Sequence, residues 1–64
     1  MRITLRAARI NKGLTQKEAA KNLNVTTKTI ASWEKGRTKP GTDKVEKICN
    51  LYELKYDDIT WNAS

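Results

Sequence analysis

Apolar residues along the chain do not alternate with polar ones over strand-length runs, and valine and isoleucine are few. Such a pattern is typical of helices rather than of a half-buried sheet. Glycine, asparagine and proline interrupt it at short intervals, most clearly at Gly13, Asn24, Gly36 and Pro40-Gly41. The pattern therefore predicts an all-α fold of five short helices.

The first two helices are predicted from residues suited to their ends. Thr4 can cap a first helix that runs to about Lys12. Thr15 can cap a second helix, and Glu18, three residues later, completes a capping box. Asn24 suits the left-handed conformation that often ends a helix, because asparagine tolerates positive φ better than most residues. Both helices are expected to turn small or aliphatic side chains toward the core: Leu5, Ala8, Ala19, Ala20 and Leu23.

Three further helices are predicted in the second half of the chain. Thr26 can cap a third helix over residues 27–35. A fourth helix begins at Thr42 or Asp43, after a loop that contains proline. Residues 54–59 are predicted to form a short fifth helix, followed by a tail at residues 61–64. The apolar stripe of the fourth helix comprises Val45, Ile48, Cys49 and Tyr52.

Charge is distributed unevenly along the chain, whose net charge is +6. Residues 1–39 carry ten basic and two acidic side chains, a net charge of +8, whereas residues 40–64 carry a net charge of −2. This asymmetry indicates a polyanion-binding face backed by a structural segment. Nucleic acid is the first candidate partner, and an anionic membrane surface is the second.

Length and residue types exclude several other functions. Sixty-four residues allow one domain, so residues 1–64 are taken as a single domain. Cys49 is the only cysteine and there is no histidine, so neither an intrachain disulfide nor a Cys/His zinc site can form. No cofactor is expected, and without an acid–base cluster an enzyme is the least expected function. The N-terminal residues lack a long apolar stretch, which favours a cytoplasmic protein.

The most informative stretch is residues 15–36, where two short predicted helices meet across a tight turn. This arrangement matches a helix-turn-helix over about residues 16–35, whose second helix enters the DNA major groove. At about 100° per residue, Ile30, Trp33 and Glu34 fall on one side of the third helix. The opposite side has the short, donor-rich side chains that can reach base edges. It carries Lys28, Ser32 and Lys35, with Thr27 at the N-terminal tip.

A longer pattern joins these helices: LTQKEAA at residues 14–20, VT at 25–26, Ile30, SWE at 32–34 and Gly36. The pattern resembles the Cro/CI-type (XRE-like) helix-turn-helix family of phage repressors and small bacterial regulators. The resemblance extends from about residue 5 to residue 59. It implies a compact five-helix fold like that of lambda repressor. It also implies a sequence-specific, double-stranded-DNA-binding regulator, a repressor of phage or mobile-element type that acts by occluding its operator.

The resemblance also implies roles for individual residues. Three positions fall where the family reads bases: Thr27, Lys28 and Ser32. Four fall where the family contacts phosphates: Gln16, Lys35, Arg37 and Lys39. Arg9 and Glu34 match a family ion pair that ties the first helix to the third. Because Thr27 and Ser32 carry small hydroxyls where the family often has glutamine or asparagine, Lys28 is the strongest candidate for reading a base.

Packing offers a simpler interpretation for several apolar residues. Trp33 could stack on a base, but its place beside Ile30 predicts a core residue. Cys49 lies on an apolar stripe without a histidine partner, which predicts packing rather than catalysis. An apolar patch near the C-terminus either closes the core or forms a homodimer contact: Tyr56, Ile59 and Trp61.

Two other functions compete with DNA binding. The first is a protein-interaction module of the same fold that has lost DNA binding, against which the basic face of the third helix argues. The second is a cationic membrane-active peptide, against which the capped helices and inward-facing Trp33 argue. We therefore expect no membrane partner and no small-molecule ligand.

Overall fold

The computed structural model describes residues 2–61, and four α-helices form most of that part of the chain. The helices are α1 (Leu5–Asn11), α2 (Gln16–Leu23), α3 (Thr27–Glu34) and α4 (Thr42–Tyr52). A single 3-10 turn follows at Tyr56–Asp58. Two short strands, β1 (Ile3–Thr4) and β2 (Ile59–Thr60), pair in parallel, with Ile3 opposite Ile59. This pairing joins the two ends of the described chain.

The three threonine caps predicted from the sequence are present. The Oγ1 atoms of Thr4 and Thr26 each accept a hydrogen bond from the backbone N–H three residues later, at 3.0 and 3.2 Å. Thr15 forms the full capping box, because its Oγ1 accepts from the N–H of Glu18 and its own N–H donates to Glu18 Oε1. Each cap satisfies backbone donors that a helix start leaves unpaired, so α1, α2 and α3 begin where the sequence indicates.

The four described helices all end in the same way. A residue with positive φ follows each helix, and the backbone N–H groups of that residue and the next bond back to carbonyls of the last turn. Asn24, with φ of 58°, is left-handed as predicted, whereas the left-handed Glu53, with φ of 56°, has no such sequence signal. The other two residues are Gly13 and Gly36. Positive φ at these four residues lets the chain reverse direction sharply after each helix, so that the short helices can pack together in a small domain.

The core contains side chains from all four helices and from β2. Trp33 is 7% exposed, which confirms that it packs inside rather than facing a ligand. The inward residues predicted for α1 and α2 are all buried, while Val45 and Cys49 of α4 are only half-buried. The buried apolar residues are Leu5, Ala8, Ala19, Ala20, Leu23, Ile30, Trp33, Ile48, Tyr52 and Ile59.

The predicted fifth helix over residues 54–59 is wrong, and so is the expected count of five helices. After the left-handed Glu53, the N–H of Leu54 bonds to the carbonyl of Cys49 and the chain leaves the helical path. Only one 3-10 turn forms, and Ile59 is extended (φ −115°, ψ 136°) where it pairs with Ile3. Two-residue strands are too short to show alternation, so their pairing left no signal in the sequence. The mainly helical fold with a helix-turn-helix is as predicted.

Candidate nucleic-acid interface

The turn between α2 and α3 sets the position of α3. Asn24 adopts φ of 58° and ψ of 44°, and the N–H of Val25 donates to the carbonyl of Ala20 at 2.9 Å. Leu23 and Ile30 are 1% and 2% exposed, so the two helices share a fully buried contact. The tight turn and this buried contact hold α3 against α2, which is the arrangement of a helix-turn-helix.

The two faces of α3 differ as predicted. Ile30 and Trp33 are buried, whereas Thr27 and Lys28 are exposed to solvent. Ser32 is half-buried on the outward side, and Lys35, just after the helix, is exposed. Within α3 the only carboxylate belongs to Glu34, which lies on the inward side. The outward face therefore presents hydroxyl and ammonium groups to any molecule that approaches it.

Arg9 and Glu34 form a buried ion pair between α1 and α3. Arg9 Nε lies 2.7 Å from Glu34 Oε2, and Arg9 Nη2 lies 3.3 Å from Glu34 Oε1. The side chains are 10% and 7% exposed. Hydrogen bonding to Glu34 raises the pKa of Arg9 above its ordinary value, against the opposing effect of burial. The negative charge of Glu34 is thus compensated inside the fold, and a polyanion at the surface meets little repulsion from it.

Two further groups complete this network. Arg9 Nη1 donates to the carbonyl of Leu14 at 2.8 Å, and Gln16 Nε2 donates to Glu34 Oε1 at 3.1 Å. The network therefore joins α1, the loop before α2, the first residue of α2 and the end of α3. The amide nitrogen of Gln16 carries a second hydrogen, so Gln16 retains one donor for a phosphate oxygen while it holds Glu34.

A cleft of about 690 Å³ opens between α1, α2 and α3, beside this network. Arg6, Lys17 and Lys35 line it together with the N-terminus of α2, whose backbone N–H groups attract anions. Sequence reasoning did not single out Arg6 and Lys17. One signal could have found them: both are basic residues in the first turn of a helix, where the helix dipole disfavours positive charge. At these positions a basic side chain interacts unfavourably with its own helix but can contact an anion bound in the cleft.

The loop after α3 carries the remaining predicted phosphate contacts. Arg37 and Lys39 are exposed, and they flank Thr38. Thr38 Oγ1 lies 3.0 Å from Ser32 Oγ, a hydrogen bond that sequence reasoning missed because the loop conformation determines it. The Ser32 hydroxyl is therefore already engaged with the loop, unlike the side chains of Thr27 and Lys28.

The C-terminal apolar patch divides into a buried and an exposed part. Ile59 is 2% exposed and lies in the core, so its predicted role in a homodimer contact is wrong. Tyr56 is 57% exposed and stacks on Trp61, with ring centroids 5.2 Å apart. Trp61 Nε1 also donates to the carbonyl of Tyr56 at 2.9 Å, so Trp61 is held in place although a tail was expected there. Residues 62–64 of that tail lie outside the described residues.

Cys49 carries a free thiol, a group that could act as a nucleophile. Burial raises the pKa of the Cys49 thiol, with a smaller contribution from Asp58, which favours the neutral thiol over the nucleophilic thiolate. Among residues 2–61, no group of three histidine, cysteine, aspartate or glutamate side chains could hold a metal ion. No helix in that range combines the length and the apolar character needed to cross a membrane.

Comparisons with known proteins agree with this geometry. Residues 5–59 match the helix-turn-helix family. The chain is 40% identical over 53 residues to the HTH-type transcriptional regulator ImmR of Bacillus subtilis (strain 168), a match that covers 83% of this chain and 42% of ImmR. The chain thus spans less than half the length of that relative.

Two other relatives match over most of their length. An uncharacterised HTH-type transcriptional regulator of Archaeoglobus fulgidus is 34% identical over 59 residues, covering 92% of this chain and 84% of the relative. The uncharacterised HTH-type transcriptional regulator YgzD of Bacillus subtilis is 30% identical over 61 residues, covering 95% and 92%. No solved structure matches the chain significantly. The match over residues 5–59 shows that the chain belongs to the helix-turn-helix family, as its resemblance to Cro/CI-type regulators implied.

Proposed function

We propose that this chain is a sequence-specific, double-stranded-DNA-binding transcriptional regulator that inserts α3 into the major groove. The observation that carries the proposal is the outward face of α3, where Thr27 and Lys28 are exposed and no carboxylate lies among them. Membership of the helix-turn-helix family supports it, as do relatives named transcriptional regulators. The proposed DNA-binding domain is residues 1–64.

The proposed base contacts come from Thr27, Lys28 and Ser32. Lys28 is exposed at the second position of α3, where a lysine ammonium can donate to guanine O6 and N7. Thr27 lies at the helix tip, where recognition helices commonly meet base edges. Ser32 lies one helical turn beyond Lys28, so the three side chains can follow successive base pairs.

The proposed phosphate contacts lie on both sides of α3. Gln16 and the N-terminus of α2 lie on the side of the cleft, together with the exposed Lys35. Arg37 and Lys39 lie in the loop that follows α3. Phosphate contacts of this kind hold a recognition helix in register without reading sequence. The two sets of cations would therefore clamp the sugar-phosphate backbones that border the groove.

The proposed regulatory effect is repression by occlusion, in a phage or mobile element. A domain bound to an operator prevents other proteins from contacting the same groove and the same phosphates. The protein would act in the cytoplasm, in association with the nucleoid.

A homodimer through Tyr56 and Trp61 is part of the proposal. The stacked pair leaves Tyr56 57% exposed, and aromatic side chains are enriched at the centres of protein interfaces. The described chain measures 28 Å along its longest axis, which is shorter than the roughly 34 Å between half-sites on successive turns of DNA. Two copies can therefore lie side by side on one face of a duplex.

Selection of bound duplexes from a random pool tests the proposed function. We expect a palindromic consensus, which would support sequence-specific binding and a dimer together. If the folded protein enriches no duplex, DNA binding is rejected and the protein-interaction module becomes the better explanation. Circular dichroism of the same sample establishes that the protein is folded.

The division between base and phosphate contacts is tested with two variants. Arg37→Ala should weaken binding to all duplexes alike and reduce the slope of log K against log salt by about 0.9, the value for one phosphate. Lys28→Ala should instead change which bases are preferred. Lys47→Ala is the matched control, because Lys47 is exposed on α4 outside the helix-turn-helix and should change neither property. Identical behaviour of the Arg37 and Lys28 variants on matched and scrambled sites would contradict the assignment.

A further inference from the structure

We propose that the hydroxyls of Ser32 and Thr38 act together to read one base, which makes Thr38 a specificity-determining residue. The inference rests on the proposed function, since it concerns the same DNA-binding face. It adds a residue from the loop after α3 to a recognition surface otherwise formed by the helix. It also specifies the base that this part of the surface prefers.

The end of α3 brings the two side chains together. Gly36 adopts φ of 75°, and the N–H of Arg37 donates to the carbonyl of Ser32 at 3.0 Å. The chain therefore folds back over the last turn of α3 instead of leaving along its axis. As a result Thr38 Oγ1 lies 3.0 Å from Ser32 Oγ, with Thr38 exposed and Ser32 half-buried.

The pair lies on the outward face of α3. Ser32 follows Lys28 by four residues, so the two side chains are neighbours on one side of the helix. Thr38 itself lies between Arg37 and Lys39, the two exposed cations assigned to phosphates. If Lys28 enters the major groove while Arg37 and Lys39 contact the DNA phosphates beside it, the hydroxyl pair lies between these contacts and close to the base edges.

The bond between the hydroxyls restricts what each can do. A lone hydroxyl offers one donor and two acceptor lone pairs, and it rotates to suit either kind of partner. Here one hydroxyl donates to the other, and the bond can run in either direction. The donating oxygen is then left as an acceptor only, while the accepting hydroxyl keeps its own hydrogen for an outside partner. The pair thus presents one donor and one acceptor side by side.

Adenine is the base whose major-groove edge complements this arrangement. Its N7 accepts and its N6 amino group donates, so both atoms can be satisfied by the pair at once. Guanine presents two acceptors, N7 and O6, for which the pair has a single donor. Taken one base at a time, cytosine offers only a donor and thymine only an acceptor beside a methyl group, so each can satisfy one of the two hydroxyls but not both. We therefore expect adenine at the position that Ser32 and Thr38 contact.

A purely structural role would make a different prediction. If the bond only braces the loop, its loss would misplace Arg37 and Lys39 and weaken binding to all sequences alike. If the pair reads a base, its loss would relax preference at one position and leave the other positions unchanged. Sequence preference therefore separates the two roles where affinity alone would not.

The experiment is selection from a random duplex pool with the full chain and four variants. Ser32→Ala and Thr38→Val each remove one hydroxyl, and Thr38→Ser keeps it. Thr60→Val, in β2, is the matched control for replacing a threonine by valine. We expect the wild type, Thr38→Ser and Thr60→Val to prefer adenine at one position, by about 5- to 150-fold as for a bidentate base contact. Ser32→Ala and Thr38→Val should both lose that preference at the same position.

Three results would overturn the inference. The first is that Thr38→Val weakens all duplexes equally and keeps its base preferences. The second is that Ser32→Ala and Thr38→Val alter preference at different positions. The third is that the wild type selects a base other than adenine at that position. A wild-type protein that enriches no duplex would instead reject the proposed function itself, so the two failures are distinguishable.

Discussion

Replacing Glu34 with glutamine tests how far the buried ion pair stabilises the fold. The substitution keeps the shape of the side chain and removes its charge. Arg9, whose side chain is 10% exposed, would then remain a cation inside the protein without a counter-charge. Its Nε and Nη2 groups, now 2.7 and 3.3 Å from the carboxylate oxygens, would meet an amide that can accept at one atom only.

The expected magnitude follows from burial. Breaking a buried pair by removing one partner costs about 3–5 kcal/mol, because the remaining charge stays desolvated. At about 0.05–0.15 kcal/mol per residue, a domain of this size has a free energy of unfolding of roughly 3–10 kcal/mol. The loss is therefore at least about 30% of the total stability. At about 4 °C per kcal/mol, the melting temperature should fall by at least about 12 °C.

Urea unfolding followed by tryptophan fluorescence measures this loss, since Trp33 is buried in the core. Lys12→Ala provides the comparison, because it removes an ion pair to Glu53 whose side chains are 33% and 70% exposed. That exposed pair should contribute no more than about 1 kcal/mol. The contrast between the two variants isolates the effect of burial, since both remove one ion pair.

Three methionine variants test the same effect of burial if Glu34→Gln does not fold. Replacing both Arg9 and Glu34 with methionine leaves no charge stranded, and the double variant should be more stable than either single methionine variant. If Glu34→Gln unfolds within 1 kcal/mol of the wild type, the argument from desolvation is refuted. The same holds if the double variant is no more stable than the single ones.

Three further substitutions test local features of the fold. Gly13→Ala should cost about 1–2 kcal/mol in urea unfolding, because φ is +72° although the added Cβ meets no atom within 4 Å; an unchanged midpoint would disprove the strain. Burial raises the pKa of Tyr52 to about 12, so the stability that its neutral hydroxyl gives below pH 10 should decline between pH 10 and 12. Urea unfolding measured across this range should show the decline in the wild type and not in Tyr52→Phe. A hydrogen bond from the Thr15 backbone N–H lowers the pKa of Glu18, so the ionised carboxylate stabilises the folded state above pH 4.5 and this contribution is lost as the pH falls. Glu18→Gln should therefore flatten the acid side of the plot of stability against pH, and an equally steep plot would contradict this.

Some features of this protein follow from the sequence because they depend on neighbouring residues. A threonine cap needs only a hydroxyl and the N–H three residues later, so Thr4, Thr15 and Thr26 mark helix starts without any knowledge of packing. The left-handed turn at Asn24 and the two faces of α3 are also local, since one depends on a single residue and the other on helical periodicity. These local features suffice to predict the helix-turn-helix and the exposure of Lys28.

Other features were decided only by the tertiary structure. The pairing of β1 with β2 joins residues at opposite ends of the chain, and it converts the expected fifth helix into a turn and a strand that buries Ile59. The bond between Ser32 and Thr38 likewise depends on where packing places the loop after α3. Local spacing does not by itself show which distant groups will meet, and the Arg9–Glu34 pair was expected only from the family resemblance. Contacts of this kind form because the buried core sets the relative positions of the helices, and they determine which polar groups of the DNA-binding face remain available.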